Sequence, residues 1–383
     1  MTADVYQRLA ERLDSLPNGF PRTESGVELR ILRAIFSPDD AAMALQVKAI
    51  PETAAAVARR LKRPTNQVRA TLDGMAERGQ IASFRLDGRR VYCFVPFVVG
   101  IYEFQLERMD KALADLFEEY APALLRAVGG HGPALARVVP VNARVEARAR
   151  ILPHEDLARM LANAKSFRVG QCICRREQAL VGRPCSHTQE TCLSFSREED
   201  AWDGAPAWGR PITREEAAAL LAACEREGLV HCTYNTRYDP FFVCNCCSCC
   251  CGFLRGVREH GAPHLLAHSS VVARIDADAC AACGECAAPR CPMDAIAAGE
   301  AAYRVDEARC IGCGVCQSVC PSGAIALVDR PASDVPAPPP TVVHWAIARD
   351  VARRGALHGL ALRGWLAWEA TKAKLAGEPL GNA

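Results

Sequence analysis

The chemistry most visible in this sequence lies in the spacing of its cysteines. Between Cys280 and Pro321 two runs share one order: Cys280, Cys283, Cys286, then Cys291-Pro292; and Cys310, Cys313, Cys316, then Cys320-Pro321. Each is C-x2-C-x2-C followed, after four or three residues, by Cys-Pro. Thiolates are the ligands of iron–sulfur clusters, and a [4Fe-4S] cube takes four of them. Three closely spaced cysteines can wrap one cube with backbone amides turned toward its sulfides. A fourth, beyond a proline-stiffened turn, sits on the far side. Zinc sites rarely use such a triplet and rarely duplicate it with a trailing Cys-Pro, so the stretch points to iron–sulfur chemistry rather than to structural zinc.

Residues from Ile275 to Val328 resemble the bacterial two-[4Fe-4S] ferredoxin domain, a small pseudo-symmetric α+β unit. The halves read alike: Val271–Ile275 precedes Asp276, Asp278 and Cys280, and Tyr303–Val305 precedes Asp306 and Cys310. A short helix and strand are expected after each run, over Met293–Ala297 and Ser322–Leu327. The resemblance implies one cluster on Cys280, Cys283, Cys286 and Cys320, and a second on Cys310, Cys313, Cys316 and Cys291. One departure stands out. Ala287, Ala288, Pro289 and Arg290 separate Cys286 from Cys291, where the family usually has three residues. This reads as a local bulge and makes Cys291 the least regular ligand.

Two further cysteine regions lie upstream. Cys172, Cys174, Cys185 and Cys192 are spaced C-x-C-x10-C-x6-C, with Arg175, Arg176, Arg183 and His187 among them. Four thiolates in such a loop can close around another [4Fe-4S] cluster, with the arginines offsetting its negative charge; a four-cysteine zinc knot is the alternative. The segment from Cys244 to Gly252 holds Cys244, Cys246, Cys247, Cys249, Cys250 and Cys251, six thiols in eight residues. Two C-x2-C registers overlap there: Cys244, Cys247 and Cys250 form one, Cys246 and Cys249 the other. The ten middle cysteines suffice for two ordinary cubes with two thiols spare, or for one unusual larger cluster. Adjacent cysteines also surround non-cubane clusters of disulfide reductases, which keeps a catalytic cluster open by analogy. Cys93, Cys224 and Cys232 read as core or ambiguous positions.

The chain has 383 residues, enough for two or three domains, and half of them are hydrophobic. Its formal charge is only +2, which argues against a nucleic-acid binder. The 21 cysteines are bunched at one- or two-residue gaps, poor for disulfides and good for metal. The N-terminus does not read as a secretory signal, and no apolar run reaches the roughly 18 residues of a membrane span. A reducing, cytoplasmic and anaerobic or oxygen-protected setting is therefore expected.

The elements around these sites predict an α+β multidomain chain. Residues 1–128 read as a winged-helix-like domain. Helices are expected at Asp4–Leu16 and Val27–Phe36, after Ser37, and over Pro51–Leu61 and Thr65–Arg78. A hairpin follows over Ile81–Val95 on an Asp87-Gly88 turn. Thr65, Asn66, Gln67 and Arg69 would face a DNA groove, but docking or dimerisation is preferred for a nearly neutral chain. Val98–Leu125 reads as helix. Residues 134–270 form the Cys-rich α+β domain, with strands at Arg137–Val141 and Val145–Leu152 and a capped helix over Thr213–Gly228. Residues 271–329 are the two-[4Fe-4S] ferredoxin domain, 330–341 a Pro-rich linker, and 342–383 a basic, tryptophan-bearing terminal helix for docking, with peripheral membrane contact as its other use.

As a whole the order of parts is similar to that of bacterial 4Fe-4S ferredoxin-like proteins. The matching stretches are Thr23–Leu32, Cys172-Ile173-Cys174-Arg175 and Cys244–Gly252. The resemblance implies iron–sulfur electron transfer. Two ferredoxin clusters and one or two further clusters would relay single electrons to or from a partner redox protein. No nucleotide fingerprint is present, so flavin or nicotinamide chemistry would belong to that partner. A reductase with a catalytic middle cluster, in which Arg175, Arg176 and His187 orient substrate, and an iron–sulfur-sensing winged-helix regulator are the alternatives.

Overall fold

The computed structural model describes residues 4–141, 152–203, 205, 209–238 and 240–379. The strand expected at Val145–Leu152 lies, except for its last residue, outside the described residues. Five helices open the chain: α1 (Val5–Asp14), α2 (Val27–Ile35), α3 (Pro38–Ala44), α4 (Ala54–Leu61) and α5 (Thr65–Glu77). Their starts follow their caps. The Ser37 hydroxyl accepts from the Asp40 N–H at 3.1 Å, and the Thr53 hydroxyl from the Ala56 N–H at 3.2 Å. Strands β1 (Ala82–Leu86) and β2 (Arg89–Cys93) pair antiparallel, with Leu86 opposite Arg89. Asp87 and Gly88 turn between them at φ of 50° and 70°, the type I′ geometry that Asp-Gly favours.

The helix expected over Val98–Leu125 begins later. From Pro96 the chain runs in short turns through Gly100, whose φ of 159° is not helical, and α6 (Lys111–Gly129) starts where Asp110 caps it. The Asp110 carboxylate accepts from the Leu113 N–H at 2.8 Å, a stronger start signal than the apolar spacing upstream.

The middle of the chain builds a seven-stranded sheet. Its strands are β3 (Ala136–Val139), β4 (Ser166–Gln171), β5 (Glu190–Ser196), β6 (Arg210–Ile212), β7 (Val230–Tyr234), β8 (Phe242–Cys246) and β9 (Leu266–Ala267), in the order β6-β4-β5-β8-β7-β3-β9. All neighbours are antiparallel except β3 and β9. Helices α7 (Leu157–Ala162), α8 (Ile173–Leu180), α9 (Arg214–Glu227) and α10 (Gly252–His260) join them. Helix α9 carries the expected signals: Thr213 and Glu216 form a reciprocal capping box, and Gly228 ends the helix in the left-handed region.

In the ferredoxin region, β10 (Val271–Ile275) pairs antiparallel with β13 (Ile325–Asp329), and β11 (Ile296–Ala298) with β12 (Tyr303–Val305). The short helix expected at Met293–Ala297 is replaced by a turn into β11. This unit is fastened to the sheet. Glu155 is fully buried; it accepts from Arg137 on β3 and from the Ser270 hydroxyl, and from the Ser270 N–H at 3.0 Å.

The terminal helix expected over Val342–Ala376 is two helices, α11 (Val342–Arg354) and α12 (Ala356–Leu375), because Gly355 at φ 93° leaves the helical region. Helix α11 packs on the chain itself. Trp345 is buried and donates to the Ala134 carbonyl at 2.8 Å. Arg349, also buried, donates to the carbonyls of Pro17 (3.0 Å), His131 (2.7 Å), Pro133 (2.8 Å) and Val128. The Pro-rich segment before α11 is pinned as well, Pro339 and Pro340 accepting from the Arg237 and Tyr238 N–H groups, each at 2.9 Å.

Two outcomes follow from these buried charges. Glu155→Ala leaves Arg137 without its counter-charge and should cost about 3–5 kcal/mol in chemical unfolding; a loss under about 1 kcal/mol would mean that the pair does not hold the ferredoxin unit to the sheet. Arg349→Ala strips donors from four backbone carbonyls, that of Val128 among them buried, and should cost about 3 kcal/mol, with limited proteolysis then releasing the segment after Pro340 before the rest of the chain is cut.

Candidate metal centres

The ferredoxin cysteines occupy two curled loops. Along Cys310–Cys316 the chain turns through left-handed Gly312 and Gly314, and along Cys280–Cys286 through Ala282 and Gly284. A Cβ on Gly312 would lie 2.1 Å from the Val271 carbonyl oxygen and 2.2 Å from the Ser269 hydroxyl, so this loop can lie on β10 only as glycine. Cys291, Cys310, Cys313 and Cys316 line one cavity together with Met293, Ile296 and Val315. Cys286 is surrounded electrostatically by Cys320, Cys280 and Cys283. Cys316 also faces Cys286 across the two groups.

Backbone amides are aimed at these sulfurs. The Ala295 N–H donates to the Cys291 sulfur at 3.2 Å. Burial raises the Cys320 thiol, but the Ser322 hydroxyl and the N–H groups of Ala324, Ile325 and Ser322 outweigh it and leave the thiol below its ordinary range. Burial pushes Cys316 up to about 12 and holds Cys313 well above the ordinary thiol value. Thiols paired only with one another in such a place resist ionisation, whereas metal-bound thiolates are deprotonated outright. Soft sulfur donors, N–H groups directed at them and curled glycine-bearing loops all fit an iron–sulfur cluster.

The lengthened spacer before Cys291 has a structural role. Arg290, its last residue, donates to the Val315 carbonyl at 2.7 Å and the Ser318 hydroxyl at 2.7 Å. It also reaches the carbonyls of Glu225 and Arg226 at the end of α9, both at 3.3 Å. One side chain thus joins both halves of the ferredoxin unit to the end of α9.

The middle cysteines are sorted differently from the expected loop set. Cys185 leaves Cys172, Cys174 and Cys192 and joins Cys247, Cys249 and Cys250; these four sulfurs all lie within 4.8 Å of one another. The C-x2-C registers do not hold either. Strand β8 ends at Cys246, and its period of two places Cys244 and Cys246 on one face. The tight turn that follows carries Cys247, Cys249 and Cys250 to the other group. A single tetrahedral ion holds thiolates at about 2.3 Å and hence about 3.8 Å apart, so the compact four suit one ion as well as a small cluster. Cys224 on α9 packs against Cys247 and Cys250 and is itself pushed up to about 12 by burial. Cys93, buried in the hairpin, is raised to about 12 in the same way.

Arg175 lies between the two groups. It is buried and donates to the Thr188 carbonyl (2.5 Å), the Thr191 hydroxyl (2.6 Å) and the Asn245 carbonyl (2.8 Å). Burial disfavours its charge, but the thiolates of Cys172, Cys247 and Cys246 more than compensate. Cys247 is brought down to about 4, first by hydrogen bonding with Cys250 and, against burial, by Arg175. Arg176 is exposed, and His187 sits 3.6 Å from Glu227. His231, next to Cys232 on β7, faces Asn245 at 2.6 Å and Glu225 at 3.4 Å.

Comparison with known proteins agrees with the ferredoxin geometry. Residues 303–326 match the 4Fe-4S binding domain family. An 87-residue stretch, 22% of the chain, is 33% identical to Hydrogenase-4 component A of Escherichia coli (strain K12) and covers 41% of that protein. A 35-residue stretch, 9% of the chain, is 51% identical to Ferredoxin 7Fe of Hydrogenibacillus schlegelii and covers 45% of it. The chain thus spans under half the length of the curated relatives it matches. No solved structure matches. Among the described residues no helix is long and apolar enough to cross a membrane. The chain carries a 4Fe-4S ferredoxin domain near its C-terminus, with the iron–sulfur and electron-transport character of that domain.

Proposed function

We propose that this protein relays single electrons to or from a partner oxidoreductase. Two ferredoxin clusters would sit on Cys280, Cys283, Cys286 and Cys320 and on Cys310, Cys313, Cys316 and Cys291, and the middle thiols would extend the relay. The observation that carries this reading is the pair of four-thiol cradles meeting at Cys286 and Cys316. Bound there, [4Fe-4S] clusters supply one-electron chemistry. The chain supplies the ligands, the N–H groups that offset thiolate charge, and a fixed separation. Continuity toward the middle domain is favoured by Arg290, which grips the end of α9 where Cys224 packs on Cys247 and Cys250. The relative named as a hydrogenase component supports a redox complex as the partner; a flavin- or nicotinamide-dependent oxidoreductase is the broader class.

The N-terminal helices and hairpin are read as a winged-helix-like unit used for docking. The exposed α5 residues Asn66, Gln67 and Arg69 could meet DNA, but nearby cations are already engaged by the chain's own tail. Glu378 lies 3.9 Å from both Arg59 and Arg89 and accepts from the Thr53 hydroxyl at 2.7 Å. A cytoplasmic setting suits thiolates that must stay reduced.

Anaerobically purified protein should show two magnetically interacting ferredoxin clusters by EPR during reductive titration. Cys313→Ser should remove about four irons and leave the other ferredoxin signal; unchanged iron and EPR in this variant and in Cys283→Ser would sink the relay. Arg175→Gln tests the electrostatics of the middle site. A charge-assisted hydrogen bond of about 1.5 kcal/mol, lost from the reduced state, corresponds to a fall of roughly 60 mV in a one-electron potential. Arg175→Lys should fall less, and equal potentials in all three proteins would show that the guanidinium does not tune the site.

A further inference from the structure

Six of the middle thiols remain once the compact four are set aside: Cys172, Cys174, Cys192, Cys244, Cys246 and Cys251. They form a ring made of five side-chain contacts and, between its two ends, of electrostatic proximity. Cys172 contacts Cys174 and Cys192, and Cys192 contacts Cys244. Cys244 contacts Cys246, Cys246 contacts Cys251, and Cys251 faces Cys174. We propose that this ring holds one iron–sulfur cluster larger than a cube, bound by all six thiolates. The proposal rests on the iron–sulfur reading above and assigns its most elaborate centre.

The fold presents the ring from five elements. Cys172 closes β4 and caps α8, and Cys174 lies in the first turn of that helix. Cys192 comes from β5 opposite Gly170, and Cys244 and Cys246 come from one face of β8. Cys251 caps α10. Two helix N-termini therefore open on the ring, the end of a helix that favours negative charge. The amides of α10 are used: the Gly252 N–H serves the Cys174 sulfur, and the Leu254 and Phe253 N–H groups serve Cys251. Arg175 adds a full positive charge toward Cys172 and Cys246, and its buried Nε has no protein partner.

Ligand count then decides the size. A cube takes four thiolates, a single zinc ion four at close range. The same segment builds such a four-thiol site in Cys185, Cys247, Cys249 and Cys250, with every sulfur within 4.8 Å of the others. Among the described residues the six are not drawn into a compact group of that kind. Five side-chain contacts instead string them out from Cys174 through Cys172, Cys192, Cys244 and Cys246 to Cys251, which faces Cys174 again, and Cys246 also touches Cys232 on β7. A single cube, with one thiolate on each of its four irons, would leave two of the six thiols without iron, whereas a larger core has sites for all six.

The test is native mass spectrometry of the full chain, purified anaerobically, with iron and acid-labile sulfide measured in parallel. Cys192→Ser, Cys246→Ser and Cys251→Ser should each lose the same mass, corresponding to more than about four irons with their sulfides. The ferredoxin EPR signals, unchanged in these variants, report that the chain is folded. Two ring cysteines replaceable without loss of iron, a loss of about four irons, or no iron lost from any of the three overturns the larger cluster and leaves the relay intact. Full iron retained in Cys313→Ser and Cys283→Ser as well would instead overturn the iron–sulfur reading on which it rests.

Discussion

The structure depends on crowding ionisable sulfur in its interior. An apolar core tolerates an isolated thiol such as Cys93, which stays protonated and behaves as a small hydrophobe. Ten thiols at one end of a sheet cannot all be treated in that way. Their mutual repulsion as thiolates, and their burial as thiols, both oppose ionisation, and the fold answers with fixed dipoles and one cation. Helices α8 and α10 begin at the thiols rather than ending there, and Arg175 is held by three oxygen acceptors so that its charge stays between the two groups. Such groups are already oriented before any metal binds, which lowers the reorganisation that a change of cluster charge demands.

A few buried polar contacts fix the geometry within a continuous apolar core that runs from the N-terminal helices through the sheet to the ferredoxin strands. Glu155 joins Arg137 on β3 to Ser270 at the entry to β10. Arg290 joins the ferredoxin loops to the end of α9. Arg349 ties α11 to carbonyls of the N-terminal helices and of the turn after α6. Each of these is a long side chain whose charged head satisfies several backbone groups at once, an arrangement that specifies geometry more sharply than aliphatic packing does. The four-residue spacer before Cys291 belongs with them. Its irregular length brings Arg290 to the point where the ferredoxin loops meet the end of α9.

Much of this was legible in the sequence where the signal is local. The C-x2-C-x2-C runs, the Thr213 capping box, the Asp87-Gly88 turn and the Ser37 cap all act over three to six residues, and each appears where its chemistry requires it. The middle cysteines were not legible as spacings, because their grouping is set by strand register. Cys192 meets Cys244 through the pairing of β5 with β8, a contact across some fifty positions of sequence. One local signal was available. In Phe242–Cys246, alternation along a strand keeps Cys244 and Cys246 on one face and excludes the C-x2-C register that joins Cys244 to Cys247. The terminal helix was misread for a similar reason: its composition is continuous, and only the backbone at Gly355 shows that it turns.

The two kinds of thiol site also differ in how they are built. The ferredoxin loops are short, glycine-dependent and nearly repeated, which suits centres that pass electrons between neighbours at matched environments. The middle sites are assembled from strands, turns and helix ends that are distant in sequence, so their geometry exists only when the whole sheet has formed. Arg175 borders both middle groups, so a change of charge at one alters the electrostatic cost of charge at the other. In the relay proposed above, centres in the two middle groups would therefore have potentials coupled by a shared guanidinium.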